Sequence, residues 1–290
     1  MGLRTKFNLM LLAVALTGVG LFALATAPIL DSVARQEVLQ SSRILMESAA
    51  GTRKYTSEQI APLLTGGMDT TFHPQAVSAY AAKKNFDVLR GKFTDYSYRE
   101  AALNPTNPED RASDWEADII NDFRDHPAKQ EIVLERQTPM GPVLNLARPL
   151  VNTAACMSCH STADAAPKSM VAIYGAQNGF GWKLNGIIGA QIVSVPMSAP
   201  IARAGEIRVL FLAIYGGVFV LLFLLLNLLL GFMVIRPIDQ MAKTAEAVSL
   251  GDMEVPEYVR GGSDQIAGLS VAINRLRRSL QEALRMLSEG

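Results

Sequence analysis

The chain has 290 residues, with 27 Lys and Arg balanced by 27 Asp and Glu, so its formal net charge is zero. That balance lacks the basic surface on which nucleic-acid binding depends and argues against nucleic acid as a partner. The length allows one sizeable folded domain plus further segments, and the apolar residues gather in two blocks, as expected of membrane spans around a soluble domain.

The first block, Phe7 to Leu30, carries no ionisable side chain, and as a helix of roughly two dozen residues it would cross about 30 Å of hydrocarbon. Arg4, Lys6 and the small-residue run Ala23-Leu24-Ala25 also suit a cleavable secretory signal. The apolar stretch is longer than a usual signal core and continues through Pro28-Ile29-Leu30, which favours an uncleaved span. Either way the following segment is exported. From Asp31 to about Leu64 the residues suit one long helix, with Val33, Val38, Leu39, Ile44, Leu45 and Ile60 as apolar positions and Pro62 as the first interruption.

A second helix is expected over Gln75 to Phe93, where Val77, Tyr80, Ala81, Phe86, Leu89 and Phe93 recur at roughly helical spacing. Asn104-Pro105-Thr106-Asn107-Pro108 must be loop. Ser113 can cap a helix through Phe123, with Glu116 completing a capping box. Strand patterns follow at Glu131 to Arg136 and Val143 to Val151, joined through Pro139-Met140-Gly141-Pro142, and another runs from Gly186 to Pro196. Helices interleaved with antiparallel strands indicate an α+β domain with one central sheet.

The two cysteines of the chain fall within five consecutive residues, Cys156-Met157-Ser158-Cys159-His160, the attachment pattern for c-type haem. Two thiols about one helical turn apart can each form a thioether with a haem vinyl group, while the adjoining imidazole reaches the iron from one face. A zinc site would need about four ligands, and only His73 and His126 remain to add nitrogen. A thioredoxin-like dithiol or a disulfide is chemically feasible in an oxidising compartment, but no thioredoxin-like order of strands and helices surrounds the motif. One covalent haem c with His160 as proximal ligand is therefore expected.

A cysteine cannot be the sixth ligand, because both sulfurs are spent on thioethers. His73 would give a bis-histidine iron of comparatively low potential, whereas Met140 or Met68 would raise it, and an open position would admit gases. His73 also reads as a surface loop histidine beside Pro74, and His126 as a cap at a helix end. Arg99 and Arg148 are candidates for contacts to the haem propionates, against the plainer reading of ordinary surface or loop-anchoring charge. Trp182 and Phe180 could pack on the macrocycle or in the sheet core.

The second apolar block, Val209 to Ile235, has Asn227 as its one strongly polar member and is bounded by Arg208 and Arg236. Arg4 and Lys6 before the first span, with Arg236 and Lys243 after the second, place both termini in the cytoplasm and Asp31 to Glu206 outside the inner membrane. After the second span, Ile238, Met241, Ala245 and Val248 form one amphipathic stripe, and Leu250-Gly251-Asp252 with the Val255 to Gly262 stretch a connector. Ile266, Leu269, Ile273, Leu276, Leu280, Ala283 and Leu287 then alternate steps of three and four, the pattern of a coiled-coil seam. A helix lying on the membrane is the plainer alternative.

Two resemblances join these features. The run Tyr96-Ser97-Tyr98-Arg99-Glu100-Ala101-Ala102-Leu103-Asn104-Pro105-Thr106-Asn107-Pro108, then Asp114-Trp115-Glu116-Ala117-Asp118, the CxxCH, Ala166-Pro167, Tyr174-Gly175 and Gly179-Phe180-Gly181-Trp182-Lys183 resemble a family of single-haem c-type sensor domains of PAS-like fold. The likeness covers roughly Arg53 to Pro196 and implies an antiparallel sheet with flanking helices and His160 as proximal ligand. Some relatives use a cysteine as the other axial ligand, which this chain lacks. The segment opening with Arg236-Pro237-Ile238 resembles a HAMP linker, a parallel four-helix bundle from two chains, which implies a homodimer.

The organisation expected is a first transmembrane helix over 1–30, a periplasmic sensor domain over 31–206, a second transmembrane helix over 207–235 and a cytoplasmic HAMP segment over 236–290. With the sequence stopping at Gly290, output is expected from a separate cytoplasmic signalling protein or a heterodimer partner. The expected function is sensing of redox state or a small ligand, not enzymatic catalysis. A membrane-anchored cytochrome for electron transfer is the alternative, although electron carriage has no need of a HAMP-like tail, and peroxide-type haem catalysis would require an open distal site.

Overall fold

The computed structural model describes residues 2–288. The chain divides into two compact units, Ala27–Ile207 on the one hand and Met1–Thr26 with Arg208–Gly290 on the other. Helix α1 (Leu3–Tyr55) is followed by a π-helical turn (Thr56–Ile60) and the short α2 (Ala61–Leu64), so the expected long helix changes its winding before Pro62. Then come α3 (Ser78–Arg90), β1 (Ser97–Ala102), α4 (Asp114–Asp125), β2 (Ile132–Thr138) and β3 (Gly141–Val151). The unit is completed by α5 (Ala154–His160), α6 (Lys168–Tyr174), β4 (Ile187–Pro196) and the start of α7 (Ser198–Leu230).

The four strands form one antiparallel sheet in the order β1-β4-β3-β2. This is the α+β, PAS-like arrangement of an antiparallel sheet with flanking helices. Because successive strand residues point to opposite faces, each strand supplies two cores. On one face Tyr98, Leu144, Leu146, Val193 and Val195 pack against Val38, Met46 and Ala49 of α1 and Phe86 of α3. On the other, Ala101, Ala147, Ala190 and Ile192 pack against Ile119, Ile120 and Phe123 of α4. Each fully enclosed side chain of this size contributes about 1.5–3 kcal/mol.

The buried stripe of α1 runs through Ala34, Val38, Ser42, Met46 and Ala49, with the Ser42 hydroxyl donating to the Val38 carbonyl at 2.8 Å. Val33 and Ile44, expected on that stripe, face away from it and are exposed. The capping box of α4 is present: Glu116 accepts from the Ser113 backbone N–H at 2.8 Å. The β2–β3 hairpin is tighter than expected, since Thr138 pairs with Gly141 and only Pro139 and Met140 form the loop. Strand β1, for which the sequence offered no strand pattern, lies at the sheet edge and pairs with β4 from Ser97↔Ser194 to Ala102↔Gly189. A Cβ on Gly189 would come within 2.2 Å of the Ala101 carbonyl oxygen, so the close approach of these two strands requires glycine there.

In the other unit, α7 is followed by a π-helical turn (Gly231–Ile235), α8 (Arg236–Ser249) and α9 (Gln265–Ser288). Among the described residues two helices, one near the N-terminus and one containing α7, are long and apolar enough to cross a membrane. Met241, Thr244 and Val248 of α8 are buried, while Ala245 is exposed. On α9 the buried line is Ala267, Ser270, Asn274 and Arg277, which faces the connector: Ser270 and Asn274 donate to the Tyr258 carbonyl at 2.6 and 2.9 Å, and Arg277 to that of Met253 at 2.7 Å. The expected apolar seam of Leu269, Leu276 and Leu280 is left exposed, and the side chain of Leu287 lies outside the described residues.

Candidate functional site

The CxxCH motif occupies α5, which follows β3 after a turn at Asn152 and Thr153. Register shifts between Leu150 and Val151, and this irregularity redirects the end of β3 before the helix begins. Asn152 is fully buried and ties the helix to the loop ahead of β4. Its side-chain amide donates to the Lys183 carbonyl at 3.0 Å and to the Met157 sulfur at 3.1 Å, and its backbone N–H donates to the Gly186 carbonyl at 2.9 Å. At positions i, i+3 and i+4 of this helix, Cys156, Cys159 and His160 share one face.

That face opens on a cavity of about 420 Å³, within the roughly 300–1,000 Å³ usual for cofactor and small-molecule sites. Cys156, Cys159, His160, Met68, Met170, Tyr174, Trp182 and Ile188 line it, together with Arg53, Lys54 and Ser57 beside the end of α1 and Glu100 of β1. Both cysteines are free thiols and half-buried. Burial pushes the Cys159 thiol up, with Cys156 adding to the effect and the Ser158 hydroxyl opposing it.

His160 Nδ1 lies 2.7 Å from the Gly179 carbonyl oxygen, which can only accept, so Nδ1 carries the proton and Nε2 keeps its lone pair. Thr106 Oγ1 stands 3.3 Å from the same nitrogen, and Trp182 stacks on the imidazole at 3.9 Å and 13°. Burial pushes the imidazole below its ordinary value and the bond to Gly179 opposes it. A ring stacked on the imidazole face leaves the in-plane direction of Nε2 unobstructed. Gly179 has φ +83°, and a Cβ there would lie 1.9 Å from Thr106 Oγ1, so only glycine can bring this carbonyl to the imidazole.

These groups fit a haem c: two thiols one helical turn apart, an imidazole held in the tautomer suited to iron, and a largely apolar cavity with a few cationic side chains. The zinc alternative finds no cluster of three or more His, Cys, Asp and Glu among the described residues.

The candidates for the sixth ligand separate. Met68 is 6% exposed, lines the cavity and accepts at its sulfur from the His73 backbone N–H at 3.3 Å. His73 itself does not line the cavity, although Phe72 and Pro74 do. Met140, at the hairpin tip, is 77% exposed and outside it. His126 caps α4, its Nδ1 lying 2.8 Å from Asp122 Oδ1.

Arg99 and Arg148 also lie outside the cavity. Arg99 shares the Ala101 face of β1, where Nε meets Glu116 of α4 at 2.8 Å and Nη2 donates to the Arg111 carbonyl at 2.7 Å. Arg148 binds Glu47 of α1 at 2.6 Å, with Glu131 at 3.7 Å. Trp182 lines the cavity and Phe180 does not.

The cavity instead holds a buried polar group that sequence reasoning missed. Glu100 is 4% exposed, pairs with Arg53 and accepts from the Tyr98 hydroxyl at 2.6 Å. Burial works against the Arg53 cation, but Glu100 outweighs it and the guanidinium sits above its ordinary value. Burial, then Glu100, pushes the Tyr98 phenol up.

Against known proteins, the Tll0287-like family model (Tll0287) matches residues 31–196, and the HAMP domain model matches residues 229–282. No curated protein matches the chain. Among solved structures, the crystal structure of the cyanobacterial heme-protein Tll0287 is similar at 18% identity, covering 55% of this chain and 95% of that one with a TM-score of 0.45. The first family model spans more than half of the 290 residues: the chain belongs to the Tll0287-like family and carries a HAMP domain besides.

Proposed function

We propose that this protein is a membrane-bound signalling subunit that reads redox state or a small ligand through one haem c attached at Cys156 and Cys159, with His160 as iron ligand. The observation that carries this reading is the shared cavity face of those three side chains, with the His160 Nδ1–H already committed to the Gly179 carbonyl. When bound, such a haem supplies an iron centre that changes charge on reduction or takes up a diatomic molecule.

The chain's own residues set the terms of that chemistry. The cysteines fix the ring to α5, so that it is not lost from an exported domain. Gly179, Thr106 and Trp182 hold the proximal imidazole in one orientation and one tautomer. Met68, the one sixth-ligand candidate on the cavity wall, would supply a thioether and a comparatively high potential.

In this reading the apolar helices span the inner membrane with 31–206 in the periplasm and both termini in the cytoplasm. The HAMP segment joins that of a second copy, whose seam would cover Leu269, Leu276 and Leu280, and passes the change to a cytoplasmic signalling protein. The chain's role is signalling, without catalysis of its own.

The test is an absorption spectrum of the purified full-length protein after expression with a cytochrome c maturation system, oxidised and reduced, with and without CO. A haem band that survives denaturation is expected, with one haem per chain by mass and loss of both in C156A/C159A. Mature protein at its bare polypeptide mass would overturn the reading.

A further inference from the structure

Three basic side chains line the cavity: Arg53 and Lys54 from the last turn of α1, and Lys83 from α3. Two of them have acidic partners, Arg53 in Glu100 and Lys83 in Asp110 at 2.6 Å. Lys54 has neither ion pair nor side-chain hydrogen bond among the described residues, and Arg53 gives Nη1 to Glu100 and also meets the Tyr98 hydroxyl, which leaves part of the five N–H donors of its guanidinium for a ligand. Consecutive positions on one helix thus offer a free ammonium and a guanidinium with donors to spare. A carboxylate entering a mostly apolar cavity needs such partners, and a haem brings two carboxylates.

We propose that Arg53 and Lys54 form the propionate anchor of the haem cavity, with Glu100 and Tyr98 holding the Arg53 guanidinium in place. This rests on the haem reading above. The two arginines that the sequence suggested for the task are committed elsewhere, Arg99 to Glu116 on the opposite sheet face and Arg148 to Glu47. The winding after α1 supports the assignment independently. Arg53, Ser57, Ala61 and Thr65 all line the cavity, yet residues four apart drift by about 40° per step around a regular α-helix. The π-helical turn over Thr56–Ile60 winds more loosely and offsets that drift, keeping the row turned toward the cavity. Anchored there, the haem would bear on α1, the helix that begins at Leu3 and contains the first apolar block, as well as on α5.

The experiment uses the full-length haem-loaded protein and the variants R53Q, K54Q, R99Q and R148Q. Resonance Raman bands of propionate bending report carboxylate hydrogen bonding, and redox titration reports the midpoint potential. R53Q and K54Q are expected to shift the propionate bands and lower the potential, because a nearby cation favours the added electron. For R53Q a tenfold change in the reduction equilibrium is expected, about 59 mV for a one-electron couple, and less for the more exposed Lys54. R99Q and R148Q are expected to leave the bands in place.

Bands unmoved in K54Q and R53Q, or moved in R99Q or R148Q, would overturn the anchor. Should R53Q fail to fold with Glu100 left unpaired, K54Q decides alone, since that side chain is exposed and makes no other contact of its kind. Wild-type protein without covalent haem would sink the functional reading and the anchor with it, whereas an attached haem with indifferent propionates would sink the anchor alone.

Discussion

In the unit Ala27–Ile207, Phe123, Ile120, Leu144 and Leu146 are fully enclosed, whereas in the other unit Leu221 of α7 and Leu276 of α9 are 67% and 71% exposed. The first unit draws its stability from apolar surface buried against itself, two cores on the faces of one sheet. The second buries Met241, Val248 and Ala267 but leaves most of the apolar surface of α7 and the α9 residues Leu269, Leu276 and Leu280 uncovered by its own chain. In the function proposed above, hydrocarbon would cover α7 and the matching helix of a second copy would cover α9. The folded state of one unit is thus set by sequence alone, and that of the other by sequence and surroundings together. An element whose packing depends on a partner is also one whose packing can change, which is what a relay requires.

The largest expected effect tests this division directly. Both tryptophans, Trp115 and Trp182, lie in the unit Ala27–Ile207, so their fluorescence follows the unfolding of that unit only. Phe123→Ala should cost it about 3–5 kcal/mol in a denaturant titration of the detergent-solubilised chain. Leu276→Glu should leave the fluorescence transition where it is and abolish cross-linking between HAMP segments of two copies. A Leu276→Glu variant with a shifted tryptophan transition, or with undiminished cross-linking, would break the comparison.

A smaller effect is expected where a single backbone conformation serves the cavity. Gly179→Ala places a methyl group against Thr106 at a positive φ, with a cost of about 1–3 kcal/mol. It also moves the carbonyl that fixes the His160 tautomer, so the haem spectrum should change in a variant that still folds. An unchanged spectrum would mean that Gly179 serves only the turn.

What was legible in the sequence follows the same line of division between local and distant causes. The capping box of α4, the CxxCH face of α5 and the amphipathic helices depend on residues a few positions apart, and they could be read directly. Strand β1 could not, because its inward face carries Glu100, which is buried only through Arg53, forty-seven positions earlier, and Tyr98. An alternation of charged and apolar residues reads as a strand only when the charges point outward, and here Arg99 and Glu100 on opposite faces both have partners. Arg53 itself reads as an ordinary base in the last turn of a helix, complementing the helix dipole. The one available signal was the family run that contains Tyr98 and Glu100, and it did not point to the partner. On α9 the apolar seam was legible, but its polar neighbours Ser270, Asn274 and Arg277 gave no hint that they bind the connector's carbonyls.

The smallest effect expected is in the acid limb of stability, and it exists in both units. Asp122, accepting from Lys129 at 2.7 and 2.8 Å, and Glu257, accepting from Arg278 at 2.8 and 2.7 Å, are each held below the ordinary carboxylate range chiefly by that hydrogen-bonding partner. A carboxylate depressed in the folded state stabilises it fully above the unfolded value, and the contribution is lost as pH falls through the folded value. Asp122→Asn should therefore lower the tryptophan-detected melting temperature slightly at neutral pH, and the gap to wild type should close as pH falls below the ordinary aspartate value of about 3.9. Glu257→Gln should leave that transition alone and weaken HAMP cross-linking over the same range. Both pairs are exposed, so salt on the order of 1 M should screen the differences. A gap that widens in acid would mean that Asp122 acts on the α4 end by some route other than its charge.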